Sequence, residues 1–174
     1  NQINIIDAFE DGNISEYSGS TGNVNIVNSP VKSGSNAAQI LEGNNLIYSP
    51  TENGLDNYPS QGDVFRWNTY IRNGSRPIFA WGLQDSSNYY YLQYDEPKST
   101  LRLYKVDAGT ESELSSVSVT FEIGAYSETE VEWRTNGRQL IKYFDSSGSS
   151  RATIDYTDTT FSSGGVGWGE YSKS

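Results

Sequence analysis

Along the chain, apolar side chains recur at every second position in short runs, and turn-forming residues separate the runs. A strand sends successive side chains to opposite faces, so a period of two predicts strands buried on one face. No stretch carries apolar residues at helical spacing. Strands are predicted over 4–7, 24–27, 37–41, 45–48, 63–72, 78–85, 89–94, 101–106, 111–117, 129–134, 140–145, 151–156 and 165–169. Asn136-Gly137, between VEWRT and RQLIKYFD, is the strongest hairpin signal, because both residues accept positive φ. Asp85–Asn88 and Asp145–Gly148 supply two further turns. About a dozen short strands joined by tight turns predict an all-β domain, a two-sheet antiparallel β-sandwich of jelly-roll type.

Parity assigns the faces. In VFRWNTYIR, Phe65, Trp67, Thr69 and Ile71 oppose Arg66, Asn68, Tyr70 and Arg72. In IFAWGLQD, Phe79, Trp81 and Leu83 oppose Ala80, Gly82 and Gln84. In SNYYYLQYDE, Tyr90, Leu92 and Tyr94 oppose Tyr89, Tyr91 and Gln93. Leu101 and Leu103 oppose Arg102 and Tyr104, and Val131 and Trp133 oppose Glu132 and Arg134. Turning every apolar side inward collects Arg66, Asn68, Tyr70, Arg72, Gln84, Tyr89, Tyr91, Gln93, Arg102 and Tyr104 on an outer surface. Tyrosine rings beside guanidinium and amide groups suit sugars, offering flat faces for stacking and polar tips for hydroxyls. A glycan site is therefore expected there, with Tyr70, Tyr89, Tyr91 and Tyr104 exposed together and Trp67, Trp81, Tyr90 and Trp133 buried. Its arginines lean towards uronic acids or other anionic sugars. The competing reading is ordinary cross-strand pairing on a solvated sheet.

Composition narrows the chemistry. Hydrophobic residues make up 34% and aromatics 13%, with 13 tyrosines, so the core is expected to be built from large rings and β-branched side chains. Disordered chains are poor in both classes. The chain has no cysteine, no methionine and no histidine, which excludes disulfides, histidine-based zinc sites and Ser-His or Cys-His catalysis. A net charge of −10 argues against nucleic acid as a partner, since phosphate binding needs a basic footprint. No apolar run approaches the roughly 20 residues of a membrane span.

The segment DAFEDGNISEYSGSTGNVNIVNSPVKSGSNAAQI resembles the opening of jelly-roll carbohydrate-binding modules and laminin-G-like (concanavalin A-like) domains, with an F-E-x-G stretch, a nearby aromatic and an S-G-S run. GLQDSSNYYYLQYD, LRLYKV, EVEWRTNGRQLIKYFD and FSSGGVGWG resemble secreted sandwich domains of microbial surface proteins. The resemblance implies a non-catalytic module of an extracellular or cell-surface protein whose partner is a polysaccharide or other glycan. It also implies a structural calcium held by Glu10, Asp11 and the Ser33-Gly34-Ser35 turn, an oxygen-rich set of the kind calcium prefers. Such domains close with a further strand, whereas this chain stops at YSKS. Residues 1–174 are therefore expected to form one sandwich domain whose closing strand lies beyond Ser174 or comes from another segment. A strand supplied by a neighbour would make it an adhesin, appendage or surface-layer module that assembles with other surface-protein subunits. Glu128, Glu130 and Glu132 in SETEVEW resemble the acidic pattern of laminarinase-type retaining glycosidases, with Glu128 and Glu132 as the working pair. The middle residue departs from that pattern, being Glu rather than Asp, and the enzyme reading ranks last of the three.

Overall fold

The computed structural model of the protein describes residues 12–15, 17–40, 43, 45–48 and 58–171. Its strands are β1 (Ser18–Gly19), β2 (Val24–Val27), β3 (Ala37–Ile40), β4 (Asn45–Tyr48), β5 (Val64–Tyr70), β6 (Pro77–Asp85), β7 (Asn88–Asp95), β8 (Thr100–Asp107), β9 (Thr110–Ser118), β10 (Tyr126–Trp133), β11 (Arg138–Phe144), β12 (Ser150–Thr157) and β13 (Gly165–Glu170). No α-helix occurs among the described residues. The expected strand over 4–7 lies outside them. Every other expected strand is present within a few residues of its predicted ends, and the two-residue β1 is the addition.

A seven-stranded sheet ordered β1-β4-β13-β6-β7-β8-β9 faces a four-stranded sheet ordered β12-β11-β10-β5, and β2 pairs with β3 in a separate ribbon. All pairings are antiparallel. The expected β-sandwich is thus the observed architecture. The three tight turns sit where turn chemistry placed them: Asp85 and Asn88 close β6 on β7, the Gly137 N–H donates to the Arg134 carbonyl at 2.9 Å, and the Gly148 N–H donates to that of Asp145 at 2.9 Å. β13 is hydrogen-bonded on both sides, to β4 and to β6, so the last described strand occupies the interior of the large sheet.

The core between the sheets is a ring-rich layer, as the composition implied. Trp81, Tyr90, Leu92 and Tyr94 meet Val131, Trp133, Ile141 and Tyr143, all fully buried. Burying an apolar side chain of this size contributes about 1.5–3 kcal/mol, but a buried hydroxyl needs a partner. Tyr94 has two, with its oxygen 2.8 Å from the Trp67 indole nitrogen and 2.6 Å from the Thr129 hydroxyl. Trp67 is only half-buried and stacks on Phe79 at 4.0 Å.

Two bulges change the parity read from sequence. The β6–β7 register shifts between Trp81 and Asp85. A Cβ on Gly82 would lie 3.1 Å from the Trp133 ring, so Trp81 and Gly82 both face inward and Leu83 turns to the outer side, joining Ile78 and Ala80 there. The β8–β9 register shifts between Leu103 and Tyr104, pairing these residues with Ser115 and Glu113 and passing over Leu114. Leu114 packs on the core instead. The β8–β9 bulge inserts one residue and reverses the phase beyond it, whereas the β6–β7 irregularity sets residues 82–84 against Tyr89 alone, two more on β6 than on β7.

Candidate functional site

β7 and β8 build the floor of the candidate site on the outer face of the large sheet. Tyr91 is opposite Tyr104 and Gln93 is opposite Arg102, while the β8–β9 bulge sets Glu113 opposite Tyr104 and Glu111 opposite Val106. The Tyr91 and Tyr104 rings stack at 4.9 Å, and Tyr171 meets Tyr91 edge-on at 5.3 Å. A cavity of about 120 Å³ opens above them, and its lining includes Gln93, Asp95, Lys98, Arg102 and Glu111.

Arg102 is the centre of its charge network. Its Nη1 donates to Glu113 Oε2 at 2.9 Å, and its Nε is 3.4 Å from Asp95 Oδ2. Asp95 is almost fully buried, accepts a hydrogen bond from Arg76 Nε at 3.0 Å, and has the Lys98 ammonium 4.0 Å away. The Tyr104 hydroxyl donates to Glu113 at 3.1 Å and the Tyr91 hydroxyl to Glu111 at 2.7 Å. Partial burial works against the Glu113 carboxylate, but donors from Ser116, Tyr104 and Arg102 outweigh it and hold the group below the usual range. Burial, reinforced by the Glu111 carboxylate, pushes the Tyr91 phenol well above its ordinary value, so this hydroxyl stays protonated and donating. The result is a preformed array of hydrogen-bond donors and acceptors beside aromatic rings.

The ten residues expected on a common surface fall on two. Tyr89, Tyr91, Gln93, Arg102 and Tyr104 do share the outer face of the large sheet. Tyr89 and Tyr91, expected to be exposed, are only 3% and 1% exposed. They form a second apolar cluster with Ile78, Ala80, Leu83 and Val106, and Leu46, Tyr104 and Tyr171 pack against it. The Tyr89 hydroxyl is 2.8 Å from that of Tyr171. Gln84 is used structurally, its amide donating to the Gly82 carbonyl at 3.1 Å and also to that of Ser163.

Arg66, Asn68, Tyr70 and Arg72 are separated from that site. β5 pairs with β10 in the small sheet, so the Arg66, Asn68 and Tyr70 side chains point away on the opposite side of the sandwich. Arg66 Nε donates to Glu130 at 2.8 Å, Tyr70 meets Tyr126 edge-on at 5.2 Å, and Asn68 is exposed. Arg72 lies just past the strand, exposed. The glutamates weighed as catalytic are engaged on this same face. Glu128 and Glu130 flank Arg66, Lys142 is 3.9 Å from Glu130, and Arg134 pairs with Glu132 at 2.8 Å.

Glu10 and Asp11 lie outside the described residues, and Ser33 and Ser35 stand on the exposed loop between β2 and β3. Among the described residues no group of three or more acidic side chains is gathered to hold a metal ion.

Sequence reasoning missed Asp95, Lys98, Glu111, Glu113 and Tyr171. Asp95 was within reach, because it continues the Tyr89, Tyr91, Gln93 alternation. Glu111 and Glu113 depend on the bulge, and Tyr171 on the return of β13.

Solved structures share this architecture. A CBM66 carbohydrate-binding module from Bacillus subtilis superposes with a TM-score of 0.61 at 16% identity, covering 90% of this chain and 88% of that one. The chain has the fold of a carbohydrate-binding module. A GH43 protein, BlXynB, from Bacillus licheniformis gives a TM-score of 0.60 at 9% identity, and 97% of this chain covers only 35% of that protein. A protein of unknown function from Shewanella oneidensis gives 0.58 at 13% identity, with 92% and 72% covered. No protein-family model and no curated protein matches the sequence. At these identities the likeness is one of fold, and the jelly-roll resemblance holds at that level.

Proposed function

We propose that the domain is a non-catalytic glycan-binding module of an extracellular or cell-surface protein, and that it binds through the Arg102 cavity. The observation that carries this is Arg102 held between Asp95 and Glu113 beside the Tyr91–Tyr104 stack. A guanidinium next to carboxylates can donate to one sugar hydroxyl while the carboxylate accepts from its neighbour, and the Tyr104 ring supplies an apolar edge. The cavity, about 120 Å³, suits a single sugar ring rather than a chain laid along the sheet. Three carboxylates, Asp95, Glu111 and Glu113, stand against three cations, Lys98, Arg102 and the Arg76 that bonds Asp95. With no net positive charge left in the site, on a chain of net charge −10, a neutral sugar is favoured over a uronic acid.

A glycan array followed by titration with the best neutral binder tests the reading. Tyr104→Ala and Arg102→Ala are expected to weaken binding roughly tenfold or more, in the range of hot-spot truncations. Because Arg102 bridges two carboxylates, Lys98→Ala, on a half-exposed side chain, serves as the variant least able to disturb folding, and a severalfold loss is expected. Unchanged affinity in all three variants would overturn the assignment.

We also propose that a structural calcium joins Glu10 and Asp11 to the Ser33–Ser35 turn. The two exposed serines alone supply too few oxygens for calcium, which takes six to eight, so the proposal rests on the two carboxylates. Calcium binding only the folded state adds about 2.7 kcal/mol at a hundredfold excess over Kd. Chelation is expected to lower Tm, and Glu10→Gln to remove that difference. Identical melting curves with calcium and with chelator would leave Glu10 and Asp11 as turn residues.

A further inference from the structure

The outer face of the four-stranded sheet holds a second groove, of about 320 Å³, that the Arg102 cavity does not account for. Its floor is set by register. Arg66 is opposite Glu130, and Glu128 lies between Asn68 on β5 and Phe144 on β11. Its two walls are fixed by hydrogen bonds. On one side the Tyr126 hydroxyl donates to the Pro30 carbonyl at 2.9 Å, which ties the β2–β3 loop bearing Lys32 against the sheet. On the other side the β11–β12 turn is held by Asp145, which accepts from the Ser147 N–H at 3.0 Å and the Ser149 N–H at 2.9 Å. The N–H and hydroxyl of Ser146 in that turn both donate to Glu122 at 2.7 Å. A groove with a sheet floor and tethered walls exists before any ligand arrives, which removes part of the ordering cost of binding.

Its chemistry repeats that of the first site. Arg66 stands between two carboxylates, with Glu130 bonded to it and Glu128 at 3.9 Å, as Arg102 stands between Glu113 and Asp95. Of the five guanidinium N–H groups, those on Nε and Nη2 face Glu130, which leaves the Nη1 donors directed elsewhere. The Glu128 side chain is 44% exposed and offers acceptors, and Tyr126 and Phe144 add ring surface to the lining. Ordinary cross-strand ion pairing on a solvated sheet would account for Arg66, Glu128 and Glu130 alone. It does not account for tethered walls on both sides or for Phe144 on the outer face. Asp145 is saturated by its own turn and by Arg151 at 2.6 Å; Lys32, Arg66 and the Lys142 beside Glu130 are then balanced by Glu128, Glu130 and the Glu122 that holds Ser146, and the groove is electrically neutral.

We propose that this groove is a second binding site for a neutral glycan, so that the domain holds two sugars on opposite faces of the sandwich. The proposal rests on the glycan-binding reading above. A module of this kind would bridge two chains of a polysaccharide or bind one multivalent surface with avidity.

The test is calorimetric stoichiometry with neutral oligosaccharides of the gluco-, xylo-, manno-, galacto- and fructo- series. Binding of two equivalents per chain is expected, falling to one in Arg66→Ala, to one in Arg102→Ala and to none in the double variant. Arg66 is largely exposed, so its removal leaves folding intact, and Glu128→Gln on the same exposed rim should also lower the stoichiometry or weaken the second event severalfold. One equivalent that survives Arg66→Ala and is lost in Arg102→Ala overturns the second site and leaves the first reading standing. One equivalent lost in Arg66→Ala but not in Arg102→Ala overturns the two-site proposal and the assignment of the Arg102 cavity together. No binding across the whole panel overturns the glycan reading itself.

Discussion

Gly164→Ala is expected to destabilise the domain by about 3 kcal/mol or more, combining backbone strain with overpacking. Gly164 precedes β13 with φ at +149°, a conformation L side chains rarely adopt. Its N–H donates to the Pro59 carbonyl at 3.2 Å. A Cβ there would press on the backbone of Gly82, with the Leu83 nitrogen at 2.5 Å and the Gln84 amide nitrogen at 2.7 Å. Both strands are irregular at this point, with register shifts on β6 and on β13, and the bulge works only because two glycine backbones can touch. Gly109→Ala is the control. It also has positive φ, +77°, but nothing lies within 4 Å of its would-be Cβ, so only the conformational cost of about 1 kcal/mol applies. Urea denaturation of both variants measures the difference. Equal losses at the two positions would show that the close approach of Gly82 and Gly164 contributes nothing.

The second large effect is expected at Asp158, in the link from β12 to β13. Its carboxylate accepts from the Tyr90 hydroxyl at 2.6 Å, from the Thr160 N–H at 2.9 Å and from Lys105 Nζ at 3.1 Å. The Phe161 N–H then donates to the Tyr90 oxygen at 3.1 Å. One carboxylate therefore fastens the connection to strands β7 and β8 of the large sheet. Partial burial opposes its ionisation, but the donors from Thr160, Tyr90 and Lys105 prevail and bring the pKa down to about 2. An unfolded aspartate titrates near 3.9, so across that interval the unfolded chain binds more protons than the folded one. The stabilisation is complete above about pH 4 and is lost as pH falls through about 2. Asp158→Asn is expected to cost about 2 kcal/mol at neutral pH, the scale of hydrogen bonds to a charged group, and to flatten the fall of Tm between those limits. Asp145 titrates in the same window, held at about 2 by Ser147, Ser149 and Arg151, so the readout is the difference between the two proteins. Parallel acid limbs for wild type and variant would sink the assignment.

The periodicity of single strands was legible because it is local. Tyr90, Leu92 and Tyr94 had to share one face whatever they packed against, and they lie in the core. The Asn136-Gly137 hairpin was legible for the same reason, since two residues that accept positive φ are enough to turn a strand back. Half of the candidate site was also within reach: Gln93, Arg102 and Tyr104 line the cavity as alternation implied.

What the chain by itself determined, then, is the all-β class, the strand positions and the face of each side chain within an unbroken strand. Only the tertiary structure decided which face belongs to which sheet. VFRWNTY carries the same alternation as its neighbours, yet β5 pairs with β10, more than fifty residues further along. That choice puts Arg66, Asn68 and Tyr70 on the far side of the sandwich from Arg102. Sheet membership is a long-range contact that no local period encodes. Bulges were equally hidden, because a single inserted residue leaves composition unchanged while reversing the phase of everything beyond it, which is how Glu111 and Glu113 reach Tyr91 and Tyr104. Exposure was the last unknown. Alternation says that Tyr89 and Tyr91 leave the core, but only the packing of Tyr171 and Leu46 decides that they do not reach water.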